Sequence, residues 1–312
     1  MVEQGYIYAH LSTDTGRVRE HNEDYIAFRE PTDPQDEEEN GWVYLVADGV
    51  GGADAGEVAS KFASQRLISR YLESKEQPDW GFRLLDAMQA ANADLRQLVA
   101  ERNDNSRMAT TMVTAVIQDN LAFIGNVGDS RAYQWRQGLF NQISKDHSLV
   151  AKLVEEGAIT EEEASVHPRR NVILYSLGSE RQPKIDIFER TLLPGDMLLL
   201  CSDGLTRHVT DEEISQIIAL TSPETAANQL IQLANERGGE DNISVVVIQF
   251  QPDRLATVPP IAPHSTDNLA PTADIASPTA AALNRPLLWL YTSFLAIMMI
   301  ASIFFIWLWL RV

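Results

Sequence analysis

Val43-Tyr44-Leu45-Val46-Ala47-Asp48-Gly49-Val50-Gly51-Gly52 is the stretch from which the rest of the chain is read. Five apolar residues that suit a buried strand run straight into an aspartate, and the glycines at 49, 51 and 52 let the backbone turn tightly over that carboxylate. A hard divalent cation takes carboxylate and carbonyl oxygens from rigid backbone, and Asp48 with the peptide oxygen of Gly49 offers both. Asp-Gly at a strand end is also an ordinary turn, so this stretch alone fits either reading.

Other stretches repeat the pattern. The apolar run 197–202 ends in Asp203-Gly204, the run 122–128 ends in Asp129-Ser130-Arg131, and Asp241-Asn242 opens the run 243–248. A polar loop over 13–24 adds Asp14, Arg19, Glu23 and Asp24. One oxygen-rich site fed by several strand ends accounts for the set better than unrelated turns, with Asp14 left as a turn residue.

Period-two and apolar runs predict strands over 6–12, 25–28, 43–47, 110–117, 121–127, 131–135, 139–143, 184–191, 197–202 and 243–248. Helical spacing of apolar residues predicts helices over 55–71, 82–98, 211–219 and 223–237, with a charged helical insertion over 148–164. Strands, two helices, strands, two helices and a last strand imply an α+β fold, antiparallel sheets covered by helices. The acidic run 30–41, with two prolines, is expected to be a solvated loop.

The series Asp14-x-Gly16-x-x-Arg19-x-x-Asn22-Glu23-Asp24, Asp48-Gly49-x-Gly51-Gly52, Gly128-Asp129-Ser130-Arg131, Ser202-Asp203-Gly204-Leu205 and Asp241-Asn242 resembles the metal-dependent (PPM, type 2C) serine/threonine protein phosphatases. The likeness is to their compact bacterial form and covers roughly residues 5–250. It implies two stacked antiparallel β-sheets with a helix pair on each outer face, an α-β-β-α sandwich with the metal site at one end. It also implies hydrolysis of phosphoserine and phosphothreonine on proteins, with two Mn2+ or Mg2+ ions that hold and acidify a water. Carried onto matching positions, Asp48 bridges both ions, Asp203 and Asp241 complete one, and the carbonyl of Gly49 serves the other. Glu23 and Asp24 orient metal-bound water from behind the ligands. Arg19 clamps the phosphate oxygens, and Asp129 with Asp203 holds a third, weaker ion. Asn242 is expected to fix the loop around Asp241.

The chain departs from that pattern twice. Members of the family often carry a histidine just after Gly-Gly or directly after Asp-Gly, where this chain has Ala53 and Val50. The leaving-group proton must then come from water or from a remote histidine, His147 and His167 being the candidates, although both are expected to be structural. In 171–178, Asn-Val-Ile-Leu-Tyr-Ser-Leu-Gly stands where relatives more often have Thr-Arg-Ala-Leu-Gly, so no substrate contact is carried onto this segment. The missing histidine leaves room for a rival reading, a membrane-tethered pseudophosphatase that binds phosphoproteins. The retained carboxylates and Arg19 weigh against it.

The formal charge of −19 argues against nucleic acid or an anionic lipid surface as the main partner. The single cysteine, Cys201, lies inside an apolar run and reads as core. Residues 1–11 carry no secretory signal. Domains are expected over 1–250 (phosphatase), 251–286 (a flexible linker rich in Pro, Ala, Ser and Thr) and 287–310. The last stretch has no charge and, as a helix, reaches roughly 36 Å, which exceeds the hydrocarbon thickness. With Trp289 and Tyr291 at one end and Trp307 and Trp309 at the other, it reads as a single C-terminal transmembrane helix in the lipid bilayer. Arg285 and Arg311 flank it evenly, so charge does not orient it. Lacking an export signal, the large domain is expected in the cytosol, facing phosphorylated proteins and a membrane Ser/Thr kinase.

Overall fold

Apolar runs without polar alternation become strands covered on both faces. The computed structural model describes residues 6–51, 55–102 and 108–251, all within the unit spanning Met1–Thr257. The first half of the chain forms β1 (Tyr6–Asp14), β2 (Asp24–Arg29), α1 (Pro34–Asn40), β3 (Trp42–Val50), α2 (Ala55–Glu73), α3 (Trp80–Arg102), β4 (Ala109–Thr110), β5 (Met112–Gln118) and β6 (Leu121–Val127). Then follow β7 (Arg131–Arg136), β8 (Leu139–Gln142), α4 (Leu149–Glu155), α5 (Glu161–Ser165), β9 (Asp186–Thr191), β10 (Met197–Cys201), α6 (Asp203–Thr206), α7 (Asp211–Leu220), α8 (Pro223–Glu236) and β11 (Ile243–Gln251).

Two antiparallel sheets result, one in the order β1-β11-β10-β7-β8 and one in the order β2-β3-β5-β6-β9, with β4 paired to β3. On β3, Val43, Leu45 and Ala47 pack with Ala59, Leu67, Leu84 and Met88 of α2 and α3. Tyr44 and Val46, on the opposite face, meet Leu198, Leu200, Val246 and Ile248 of the other sheet. Met197, Leu199, Cys201, Val245 and Val247 point away from that interface, onto Ile214, Ile218, Leu230 and Ala234 of α7 and α8. Three apolar layers therefore separate helix pair, sheet, sheet and helix pair, and each fully buried aliphatic side chain contributes about 1.5–3 kcal/mol. Cys201 is wholly inside, where burial pushes its thiol far up and out of reactive range.

The structure corrects the reading of the acidic run. Residues 34–40 form α1 rather than a loop, because Asp33 caps the Asp36 N–H at 2.9 Å, Pro34 starts the first turn and Gly41 ends the helix with φ +58°. Asp36 and Glu37 lie in the first turn, where carboxylates suit the helix dipole. The 148–164 insertion is two short helices rather than one, α4 capped by Ser148 and α5 by a Thr160–Glu163 capping box. Gln137-Gly138 joins β7 to β8 with positive φ at both residues. Among the described residues no helix is long and apolar enough to cross a membrane. The linker and the span expected over 251–286 and 287–310 lie outside the described residues, apart from residue 251.

Candidate metal centre

The acids singled out in the sequence come from both sheets. Asp24 begins β2 and lies directly across from Asp48 in the β2–β3 ladder. Asp129 follows β6, Asp203 follows β10, and Asp241 precedes β11, the partner of β10. Glu23 adjoins Asp24, and Arg19 comes from the β1–β2 connection.

Short-range packing fixes these positions. The Asp48 backbone is held from three sides: its N–H donates to Thr111 Oγ1 (3.2 Å), and its carbonyl accepts from Thr111 N–H (2.9 Å) and Thr110 Oγ1 (2.8 Å). Thr111 Oγ1 also meets Ser130 Oγ at 2.8 Å, tying the Asp48 strand to the Asp129 turn. Gly49 donates to the Glu23 carbonyl at 3.1 Å, and a Cβ there would come within 2.2 Å of the Gly56 carbonyl oxygen, so no other residue fits. Asn242 accepts from the Glu23 N–H (2.8 Å) and donates to the Thr15 and His21 carbonyls (2.9 Å each), fastening the 15–23 loop to the start of β11. Ser202 donates to Asp24 Oδ2 at 2.7 Å and accepts from the Ser244 N–H. Asp14 accepts from the Gly16 N–H at 2.8 Å, the turn role read from sequence.

The electrostatics are those of acids crowded out of water. Burial raises Asp24 to about 7 against the hydrogen bonds from Ser202 and Ser244, with Asp203 and Asp241 adding repulsion. Burial and the charge of Asp203 take Asp129 to about 8. Asp48 keeps an edge to solvent, yet the surrounding protein and then Asp24, Asp203, Asp129 and Asp241 hold its carboxyl well above the usual range. Asp203 is also raised by burial, partly offset by Arg207. Oδ1 of Asp24, of Asp129 and of Asp203 are each buried with no hydrogen-bond partner among the described residues. Repelling carboxylates with orphaned oxygens fit divalent cations, the one partner that removes both penalties at once.

Two guanidiniums already meet part of this charge. Arg19, 45% exposed, reaches Asp241 Oδ1 at 2.8 Å and Glu23 Oε2 at 3.7 Å. Arg207, which sequence reading missed, bonds Asp203 Oδ2 and also Asp241 Oδ2, the latter at 2.7 Å. Its spacing of four residues from Asp203 was the available signal. Burial opposes the Arg207 charge, but Asp203, Asp241, Asp129 and Asp48 outweigh it and push the guanidinium up. Among the described residues, no three acidic, histidine or cysteine side chains converge on one point, so waters and backbone carbonyls would supply part of any ion's shell.

Neither histidine stands free as an acid. His147 is buried; its Nδ1 accepts from the Gly128 N–H and its Nε2 faces Asp186 at 3.0 Å, so the ring links the Asp129 turn to β9. The His147 backbone bonds Gly128 on one side and Leu174 of the insertion on the other. His167 accepts from the Arg169 N–H and shapes its own turn.

A sandwich of paired helices and paired antiparallel sheets, with acids gathered at its strand ends, suits a metal-dependent hydrolase. A protein phosphatase 2C family model matches residues 16–237. The chain is 36% identical over 250 residues to "Serine/threonine phosphatase stp" of Listeria innocua, covering 78% of this chain and 96% of that protein. It is 37% identical over 239 residues to the serine/threonine protein phosphatase PstP of Mycobacterium tuberculosis, covering 75% of this chain and 43% of that protein. Among solved structures it resembles the catalytic domain of PstP in complex with 2 manganese ions, with TM-score 0.67 and 33% identity, covering 78% of this chain and 98% of that one. The chain belongs to the protein phosphatase 2C family. It is a metal-dependent protein serine/threonine phosphatase, and the family works with two Mn2+ or Mg2+ ions.

Proposed function

We propose that this phosphatase removes phosphate from serine and threonine of membrane-proximal proteins, and that it opposes a Ser/Thr kinase of the same membrane. The observation that carries the catalytic part is the row of buried, mutually repelling carboxylates with unpartnered oxygens at Asp24, Asp129 and Asp203. In this reading Asp48 would contact both ions, Asp203 and Asp241 would complete one, the Gly49 carbonyl would serve the other, and Asp129 with Asp203 would hold a weaker third. Glu23 and Asp24 orient water from behind. When bound, a pair of such ions lowers the pKa of water enough to supply hydroxide at working pH. Arg19, exposed at the rim, swings from Asp241 to the phosphoryl oxygens and stabilises their growing charge. With no histidine at 50 or 53 and the His147 ring held on both sides, the leaving oxygen takes its proton from water. Anchoring rests on the uncharged stretch 287–310 and its terminal aromatic residues, with the enzyme domain in the cytosol.

The test is release of phosphate from a phosphothreonine peptide with Mn2+ or with EDTA, comparing the wild-type chain with Asp48→Asn and Asp203→Asn. Mn2+-dependent release that both substitutions lower by about a hundredfold or more is expected. Undiminished release from either variant removes that residue from the site. Membrane fractionation of the full chain beside a chain ending at residue 257 tests the anchor, which fails if both partition alike.

A further inference from the structure

We infer that Arg207 is a tethered cation that competes for the ligand oxygens of Asp203 and Asp241, so that an ion enters this side only by displacing a guanidinium. The inference rests on the ligand roles proposed above for these acids.

Arg207 caps the end of α6, one turn after Asp203, so its side chain folds back over its own helix. One guanidinium nitrogen bonds Asp203 Oδ2, while the other bonds Asp241 Oδ2 at 2.7 Å across the gap between α6 and β11. These are the two acids that must complete one ion. Asp241 is further engaged by Arg19, so both of its oxygens face positive charge, whereas Asp203 keeps one oxygen bonded and one bare.

Such an arrangement does two things. It screens part of the repulsion while no ion is bound, which lets the acid cluster fold. It also makes every ion compete with a cation that is covalently attached and therefore always present at high effective concentration. Release needs only rotation of the Arg207 side chain, since its backbone lies at a helix end and the stem is long. The phosphatase is thereby set to load at a higher divalent-ion concentration than its carboxylates alone would dictate.

The experiment measures Mn2+ binding to the full-length chain in detergent after EDTA stripping, with free Mn2+ read by electron paramagnetic resonance. Wild type is compared with Arg207→Gln, Arg207→Met and Asp203→Asn. Both neutral variants at 207 are expected to bind the tightest ion about tenfold more strongly or better, roughly 1.4 kcal/mol. They should also melt at a lower temperature in EDTA and gain more on adding Mn2+. Equal or weaker Mn2+ binding in Arg207→Gln and Arg207→Met, with Asp203→Asn still abolishing it, overturns the exchange and leaves the ligand assignment standing. Unchanged binding in Asp203→Asn overturns the ligand assignment, and the exchange with it. If the 207 variants fold only with Mn2+ present, the release rate into excess chelator replaces the titration. Release about tenfold slower than wild type supports the exchange, and an equal rate refutes it.

Discussion

Gly204→Ala sets two physical effects against each other. Gly204 is the second residue of α6, and in an ordinary helix alanine is better than glycine by about 1 kcal/mol. In this structure, however, a Cβ at 204 would sit 2.0 Å from the Asn242 carbonyl oxygen and 3.5 Å from the Asp241 Cβ. A carbon and a carbonyl oxygen rest at about 3.3–3.6 Å, so roughly 1.3–1.6 Å must open between α6 and β11, and the obstacle is backbone that cannot rotate away. Overpacking of this kind costs about 1–3 kcal/mol, and at its upper end it exceeds the helical gain by about 2 kcal/mol. For a domain of this size that is a fall in melting temperature of roughly 4–8 °C. The same displacement parts Asp203 from Asp241, so Mn2+ binding should weaken even at temperatures where the variant is fully folded. Calorimetry in EDTA and in Mn2+, with the Mn2+ titration run at 20 °C or so, reads both consequences. A variant that melts at or above wild type and binds Mn2+ as tightly refutes the reasoning, because the close approach would then have relaxed without disturbing the acids.

Further outcomes follow from the same geometry. Arg83, 2% exposed, gives its guanidinium to the carbonyls of Tyr71 and Glu39 and to Asn40 Oδ1, all within 2.8 Å, and stacks on Tyr71. Arg83→Met strands those acceptors and should destabilise the domain by about 3–5 kcal/mol, seen as a lower urea midpoint, and an unchanged midpoint contradicts it. In EDTA, stability should fall as pH rises. Asp24 and Asp129 move from 3.8 to about 7 and about 8 on folding, so the stability they lend is full below pH ~4 and lost as pH passes through ~7 to ~8. Saturating Mn2+ should remove this slope, because ion binding needs the ionised acids. A melting temperature in EDTA that is flat or rising between pH 5 and 8, or thereabouts, counts against the picture of repelling buried carboxylates.

How far the sequence carried varies with the range of the interaction. β3, β10 and β11 were legible because a strand sandwiched between two apolar layers leaves an unbroken apolar run. The acids at their ends were legible because the runs of β3 and β10 stop on one and Asp241 stands just before that of β11. α1 was missed although its signals were local: Asp33, Pro34 and Gly41 mark both ends, and the charge of the residues between them outweighed those marks in the reading. The bond from Ser202 to Asp24 joins residues 178 apart and had no local trace. Arg207 lay in between, its contact with Asp203 visible as a four-residue spacing and its contact with Asp241 only in three dimensions.

Asp24 and Asp48, opposed on neighbouring strands, carry a consequence for how this chain can evolve. Like charges across a ladder weaken it, and a buried carboxylate oxygen left without a partner, as Oδ1 of Asp24 is, adds the cost of desolvation. Replacement of either by asparagine or alanine would bring an immediate gain in stability, as would replacement of Asp129. Were turnover dispensable, drift would therefore run downhill and erase these positions first. A library selected for thermal resistance alone should lose them within a few rounds.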